Sequence, residues 1–210
     1  MGKVLIGASA GVLRREVDDF FTRRDSVWQT MEHVTRRLRE EAIPYAVIGG
    51  MSLVLHGFVR VTGDVGLLTT RDGLDAVHRL LVGRGFVPAY SGARKVLKDT
   101  TTGVKVEFIT EGEYPGDGKP KPVRFPDPRT ASVDRDGFSV IALNKLIELK
   151  LASGLTAEHR RLNDLGDVQR LITALGLPRS LAEELDASVR AEYLRLWEIA
   201  QTPDFHEQGG

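Results

Sequence analysis

The sequence contains no cysteine. Disulfide bonds, thiolate-bound zinc and iron–sulfur clusters are therefore excluded. It also lacks an apolar stretch of about 18 residues, the length that a membrane-spanning helix needs. The N-terminal run MGKVLIGASAGVL is short and interrupted by glycine, which argues against a signal peptide. We therefore expect a cytoplasmic protein with no membrane partner.

An excess of charge of either sign is also missing, because 29 Lys and Arg residues balance 29 Asp and Glu residues. A neutral chain has no broad electrostatic attraction for nucleic acid, although a local basic patch remains compatible with it. The histidines show no HxH or HExxH spacing, and the sequence has no GxSxG motif or Walker-type phosphate loop. Zinc hydrolases and P-loop enzymes are therefore not expected.

Apolar periodicity predicts an α+β N-terminal half and a helical C-terminal half. The predicted helices cover residues 26–41, 49–56, 74–82, 142–153, 161–175 and 180–201. The predicted strands cover residues 45–48, 64–69, 95–98 and 104–109. Residues 111–130 hold five prolines and three glycines and are predicted to form a loop. The predicted organisation is a lead-in over 1–25, an α+β domain over 26–135, a helical domain over 136–203 and a flexible tail over 204–210.

Two adjacent glycines, Gly49 and Gly50, stand between the first predicted strand and the helix that follows it. Their backbone could approach a phosphate closely, and the first N–H groups of the helix would point toward that anion. A tight strand-to-helix turn favours glycine as well. Taken alone, the glycine pair is compatible with either role.

Two carboxylates on different predicted strands form the second candidate feature. Asp64 begins the strand over 64–69, and Glu107 lies on the polar side of the strand over 104–109. If the two strands are neighbours, these side chains could converge on one hard cation such as Mg²⁺, which prefers oxygen ligands. The alternative is that both are solvated strand residues.

The helical half contributes Lys150 and a pair of aspartates, Asp164 and Asp167, spaced three residues apart on one helical face. These groups could contact a triphosphate or orient an acceptor. They could equally form a salt bridge between two helices, which is the commoner use of such charges.

Taken together, these segments resemble the minimal nucleotidyltransferase family of polymerase-β type, in its bacterial branch related to the abortive-infection toxins of type IV toxin–antitoxin systems. The family pattern of strand, Gly-Gly, helix, His-Gly, arginine and Asp-x-Asp corresponds here to YAVIGGMSLVLHGFVRVTGDVGLL. A later family carboxylate matches Glu107 in VKVEFIT. The loop EYPGDGKPKPVRFPDP and the helical segments LIELKLASG and RRLNDLGDVQRLI also fit this branch, so the resemblance covers about residues 26–175.

The resemblance implies a nucleotidyltransferase-type mixed sheet flanked by helices and followed by a C-terminal helical bundle. It implies that nucleotide is bound by Gly49, Gly50, Arg60, Lys150, Asp164 and Asp167. It implies that Mg²⁺ or Mn²⁺ is held by Asp64 and Glu107, and that the catalytic residues are Asp64, Glu107 and Lys150. The reaction would transfer a nucleoside monophosphate from an NTP to a hydroxyl of tRNA, a protein or a small molecule. A cognate antitoxin would be a further partner.

One position departs from the family pattern: Gly66 stands where Asp-x-Asp has its second carboxylate. One or two carboxylates can still hold a single Mg²⁺ when substrate phosphates supply further ligands. Losing a comparable electrostatic contact lowers an enzyme's rate by about 10²-fold or more. The sequence therefore leaves three functions open: an atypical active nucleotidyltransferase, a catalytically degenerate module that binds nucleotide or a partner, and an interaction module in which these motifs are relics.

Overall fold

In a computed structural model of the protein, residues 25–58 and 60–202 are described. Apart from Asp25, the predicted lead-in over 1–25 lies outside the described residues, as does the predicted tail over 204–210. The chain divides into two compact units. Unit 1 consists of Met1–Glu111 and Pro126–Ile141, and unit 2 consists of Gly112–Phe125 and Ala142–Gly210.

Unit 1 is built around a mixed β-sheet. Its described helices are α1 (Ser26–Glu40), α2 (Gly49–Leu55) and α3 (Arg71–Leu81). Its described strands are β1 (Tyr45–Ile48), β2 (Asp64–Thr69), β3 (Phe86–Pro88), β4 (Val96–Asp99), β5 (Lys105–Thr110), β6 (Ser132–Arg135) and β7 (Phe138–Ile141). The strand order in the sheet is β3-β4-β5-β2-β1-β7-β6. β1 pairs with β7 and β2 pairs with β5 in parallel, and the other neighbouring strands are antiparallel.

The core of unit 1 lies where α1 and α3 pack against one face of this sheet. α1 begins at an aspartate cap, since Asp25 Oδ1 accepts hydrogen bonds from the backbone N–H groups of Val27 and Trp28 at 3.1 and 2.9 Å. Such a cap stabilises a helix by about 1 kcal/mol. The buried residues that form the core include Met31, Val34, Leu38, Val65, Leu67, Val77, Leu81, Val106 and Phe108. The opposite face carries polar side chains at the start of both strands, Asp64 on β2 and Lys105 and Glu107 on β5, and the buried Leu68 further along β2.

Unit 2 is helical, with α4 (Leu143–Thr156), α5 (Glu158–Leu175), a 3₁₀ helix (Arg179–Glu184) and α6 (Ala187–Ala200). The single helix predicted over 180–201 is wrong, because Asp186 caps a new helix by accepting a hydrogen bond from the Ser188 N–H at 2.9 Å. Glu148 of α4 fixes this break by accepting the Asp186 N–H at 2.8 Å. The predicted α+β class is confirmed: a mixed sheet with flanking helices is followed along the chain by a helical bundle. None of the described helices combines the length and apolar character that a membrane crossing requires.

Candidate active site

Asp64 and Glu107 project from the same face of two neighbouring parallel strands. In the β2–β5 register Asp64 lies opposite Lys105, and Gly66 lies opposite Glu107. The intervening residues Val65 and Val106 point to the core and are fully buried. Adjacency of these two strands was stated above as a condition of the cation site, and the β2–β5 pairing meets it. The two carboxylates therefore belong to neighbouring strands, which lie about 4.8 Å apart, and their Cα positions are offset by two residues along the strand direction.

Gly66 is the centre of a row that crosses three strands. It lies opposite Ile48 in the antiparallel β1–β2 pair and opposite Glu107 in the β2–β5 pair. A Cβ at position 66 would lie 3.1 Å from the Ile48 carbonyl oxygen and 3.2 Å from Ile48 Cγ1. The row therefore runs from the end of β1, past a position with no side chain, to an exposed carboxylate on β5. A side chain at position 66 would require Ile48 to shift by a few tenths of an ångström.

The glycine pair begins α2 directly after β1. Gly49 has a φ of 69°, in the left-handed region that favours glycine, and a Cβ there would meet no atom within 4 Å. The space beside its backbone is therefore open. The α2 N-cap is Ile48, whose side chain makes no capping hydrogen bond, so no cap side chain occupies the first turn.

Gly50 is required for a different reason. A Cβ at this position would lie 2.5 Å from Thr62 Oγ1 and 2.7 Å from Thr62 Cβ, closer than real Cβ contacts allow. Thr62 is buried, and its hydroxyl donates a hydrogen bond to Asp64 Oδ1 at 3.1 Å. Thr62 thus connects the glycine turn to the first carboxylate. The sequence reasoning missed this residue, because its role depends on a close backbone approach that no spacing reveals.

Two further polar residues, Arg60 and His56, lie in the segment from the end of α2 to the start of β2. Arg60 is half-buried, four residues before Asp64, and its predicted contact with phosphate remains a prediction. His56 lies at the end of α2, where its Nε2 donates a hydrogen bond to the Ile141 carbonyl oxygen at 2.8 Å. Burial is the main cause that lowers the pKa of His56 from its ordinary value of 6.5. A neutral imidazole carrying its proton on Nε2 satisfies this bond, which makes His56 a packing residue.

The polar residues predicted in the helical half form one buried cluster in unit 2. Lys150 Nζ on α4 donates to Asp164 Oδ1 at 3.1 Å and to Asp167 Oδ2 at 2.8 Å, both on α5. Ser153 Oγ donates to the other oxygen of Asp164 at 2.6 Å. All of these side chains are buried. The arrangement is a salt bridge between two helices, which was the alternative role predicted for these residues. Their contact with nucleotide remains a prediction.

The donor set on the exposed face of β2 and β5 fits one hard cation better than two. Among residues 25–58 and 60–202 there is no group of three His, Cys, Asp or Glu side chains that could hold a metal ion. Two carboxylates suffice for one Mg²⁺ when substrate phosphates and water complete its octahedron. A clamp of two ions about 3.5–4 Å apart needs additional bridging ligands, and the position that would provide one is Gly66.

Comparisons with protein-family models and with curated proteins give no match. Among solved structures, a candidate nucleotidyltransferase from Thermotoga maritima matches at 18% identity and a TM-score of 0.44, covering 70% of this chain and 91% of its own. The protein JHP933 from Helicobacter pylori matches at 17% identity and a TM-score of 0.46, covering 82% of this chain and 88% of its own. A candidate nucleotidyltransferase from H. pylori matches at 16% identity and a TM-score of 0.46, covering 92% and 95%.

Proposed function

We propose that this protein binds an NTP with one Mg²⁺ and transfers a nucleoside monophosphate to a hydroxyl acceptor. The observation that carries the proposal is the row across three strands, in which the end of β1 and its glycine turn lie beside β2 with Asp64, and β2 lies beside β5 with Glu107. An open glycine turn and two carboxylates are thereby gathered at one place on an otherwise ordinary sheet. That combination suits an anionic triphosphate together with a hard cation.

The roles of the residues follow from their places in this row. The backbone at Gly49 and Gly50 is the part that approaches the phosphates, and Asp64 and Glu107 are the oxygen donors. In the reaction, the acceptor oxygen forms a bond to the α-phosphorus while the bond from that phosphorus to the pyrophosphate oxygen breaks. The hydroxyl proton passes to Glu107 or to water, and pyrophosphate leaves. Mg²⁺ supplies charge neutralisation when bound.

Thr62 has a positioning role in this proposal. Its hydroxyl donates to Asp64 Oδ1 and therefore restricts the orientation of that carboxylate. Because Thr62 also packs against Gly50, a shift of the glycine turn would be felt at Asp64. The hydrogen bond and this packing hold the glycine turn and the Asp64 carboxylate in a fixed relation. Groups that are fixed in advance stabilise the charge of a transition state without having to reorganise.

The sequence resemblance extends the proposal to a biological setting. It favours a bacterial, cytoplasmic protein of the branch related to type IV toxins, with a cognate antitoxin as partner. Growth arrest on expression of the protein, relieved by co-expression of a cognate antitoxin, is the expected outcome. Normal growth with an active enzyme would contradict this part of the proposal and leave the reaction untouched.

Gly66 provides the sharpest experiment on the reaction. We would measure transfer of α-labelled NTPs to tRNA, total protein and small hydroxyl compounds by the protein and by its Gly66→Asp, Gly66→Asn and Gly66→Ala variants. All three substitutions add the same Cβ crowding against Ile48, but only aspartate adds a carboxylate. We expect slow transfer by the protein itself, about 10²-fold faster transfer by Gly66→Asp, and no gain from the other two variants.

Other outcomes separate the alternatives. Labelling by Gly66→Asp alone would identify a catalytically degenerate site that retains nucleotide binding. No labelling by any variant, together with no Mg²⁺-dependent NTP binding, would refute the proposal and favour an interaction module.

A further inference from the structure

Two lysines continue the exposed face of the sheet beyond the carboxylates. Lys105 lies opposite Asp64 in the β2–β5 pair, and Lys98 lies opposite Lys105 in the antiparallel β4–β5 pair. Residues opposite each other in adjacent strands point to the same face. Asp64, Lys105 and Lys98 therefore form a second row, one pleat away from the row that contains Gly66 and Glu107. Both lysines are exposed.

Neither lysine side chain forms a hydrogen bond or an ion pair with any residue in the ranges 25–58 and 60–202. This is notable for Lys105, which has the carboxylates of Asp64 and Glu107 on neighbouring positions of the same face. The end of the Lys98 side chain lies near the backbone of Gly103, since a Cβ added to that glycine would be 3.6 Å from Lys98 Cε. Two ammonium groups at the edge of the candidate site thus have no anionic partner within the described part of the protein.

The strand order decides on which side of the site this charge lies. In the order β4-β5-β2-β1, the glycine turn follows β1 on one side of Asp64, whereas Lys105 and Lys98 lie on the other side. If the triphosphate lies at Gly49 and Gly50, the lysines face the side from which the acceptor must approach. The two ammonium groups balance the charge of the two carboxylates, so they lower the repulsion that these carboxylates and a bound triphosphate would exert on a further phosphate.

We propose that the acceptor carries phosphate beside its reacting hydroxyl, and that Lys105 and Lys98 bind this phosphate. This inference rests on the proposed function and adds the substrate class to it. Lysine binds phosphate as a point charge without demanding one orientation, which suits a flexible or single-stranded acceptor. A neutral overall charge is compatible with such a site, because the two lysines act locally.

The test uses binding in the absence of NTP and Mg²⁺. The probe is a fluorescent single-stranded RNA 12-mer, titrated with the full chain at several salt concentrations, with ribose 5-phosphate as competitor. The test variant is Lys98→Gln/Lys105→Gln. The matched control is Arg36→Gln/Arg79→Gln, which removes two exposed cations from α1 and α3 on the other side of the sheet. NTP–Mg²⁺ affinity of each protein is measured separately.

We expect the lysine variant to lose RNA affinity by about 10-fold at low salt. We expect the slope of log affinity against log salt to fall by about 1.4, since each phosphate contact on a single strand contributes about 0.7. The control should keep both values. Competition by ribose 5-phosphate that depends on the lysines would show that a small phosphorylated acceptor suffices, and its absence would point to a polynucleotide.

Three results would overturn the inference. Equal losses in the lysine variant and the control would mean that the charge effect is nonspecific. Failure of the protein to bind either probe would remove the phosphate site. A parallel loss of NTP affinity in the lysine variant would assign the lysines to the triphosphate instead. RNA binding through the lysines without any NTP–Mg²⁺ binding would refute the proposed function while leaving the phosphate site intact.

Discussion

The buried cluster around Lys150 allows a quantitative choice between a structural and a nucleotide-binding role. The substitution Lys150→Met keeps most of the side-chain volume and removes the ammonium group. It leaves Asp164 and Asp167 facing each other in a buried place, where the side chain of Asp167 is only 3% exposed. Removing one partner of a buried ion pair costs about 3–5 kcal/mol, because the remaining charge loses its main partner in a place with little solvent.

The structure places this estimate near the middle of that range. Lys150 serves both aspartates, at 3.1 and 2.8 Å, so its removal disturbs two charged groups. Ser153 still donates to Asp164, and Arg170 Nη1 lies 3.9 Å from Asp167 Oδ1; both offset part of the loss. We therefore expect the free energy of unfolding to fall by about 4 kcal/mol in Lys150→Met, measured by urea titration.

Two controls belong to this measurement. Lys119→Met removes an exposed lysine from the loop of unit 2 and should change the free energy of unfolding by less than about 0.5 kcal/mol. The triple variant Lys150→Met/Asp164→Asn/Asp167→Asn, which also removes both carboxylate charges, should recover much of the loss. If Lys150→Met costs less than about 1 kcal/mol while NTP affinity falls sharply, the structural reading is refuted and the lysine serves the nucleotide.

Two further predictions concern the region around α2. Gly50→Ala should lower the free energy of unfolding by about 1–3 kcal/mol, because its Cβ must displace Thr62 and with it the hydrogen bond to Asp64; a neutral effect in urea unfolding would contradict this packing. For His56, the lowered pKa means that below pH 6.5 the unfolded chain binds a proton that the folded chain resists, so stability falls as the pH drops. His56→Gln can still donate to the Ile141 carbonyl and should show a shallower decline in Tm from pH 7 to pH 5; an unchanged decline would assign the acid sensitivity to other groups.

The strands that carry the candidate site could be predicted from the sequence at their observed bounds, β1 over 45–48 and β2 over 64–69. Each is a short apolar run bounded by proline or glycine, and the alternation in β5 correctly assigned Glu107 to the face opposite Phe108. These features are local, so periodicity reports them. The pairing of β2 with β5 joins segments that are distant in the sequence. The sequence alone could state it only as a condition, and the structure shows that the two strands do pair.

The β6–β7 hairpin was missed although its signal is present in the sequence. Asp136 and Gly137 form the two-residue turn with φ of 53° and 81°, as a primed hairpin turn requires, and they join Arg135 to Phe138. The flanking segments are short and partly polar, which weakened the strand pattern. Other features had no such signal. The contact of Gly50 with Thr62 and the alignment of Lys105 with Asp64 depend on register, which a single sequence does not encode in any short motif.

The most direct test of the central claim is binding of a non-hydrolysable NTP analogue with Mn²⁺, followed by calorimetry and by electron paramagnetic resonance of the bound ion. We expect one protein-associated Mn²⁺ per chain, and an affinity that falls at least about 10-fold in Asp64→Asn and in Glu107→Gln. The exposed carboxylate Glu32 lies on α1 on the other side of the sheet, and Glu32→Gln should bind as the unmodified protein does. Equal binding by all four proteins, or no binding by any of them, would contradict the assignment of this site.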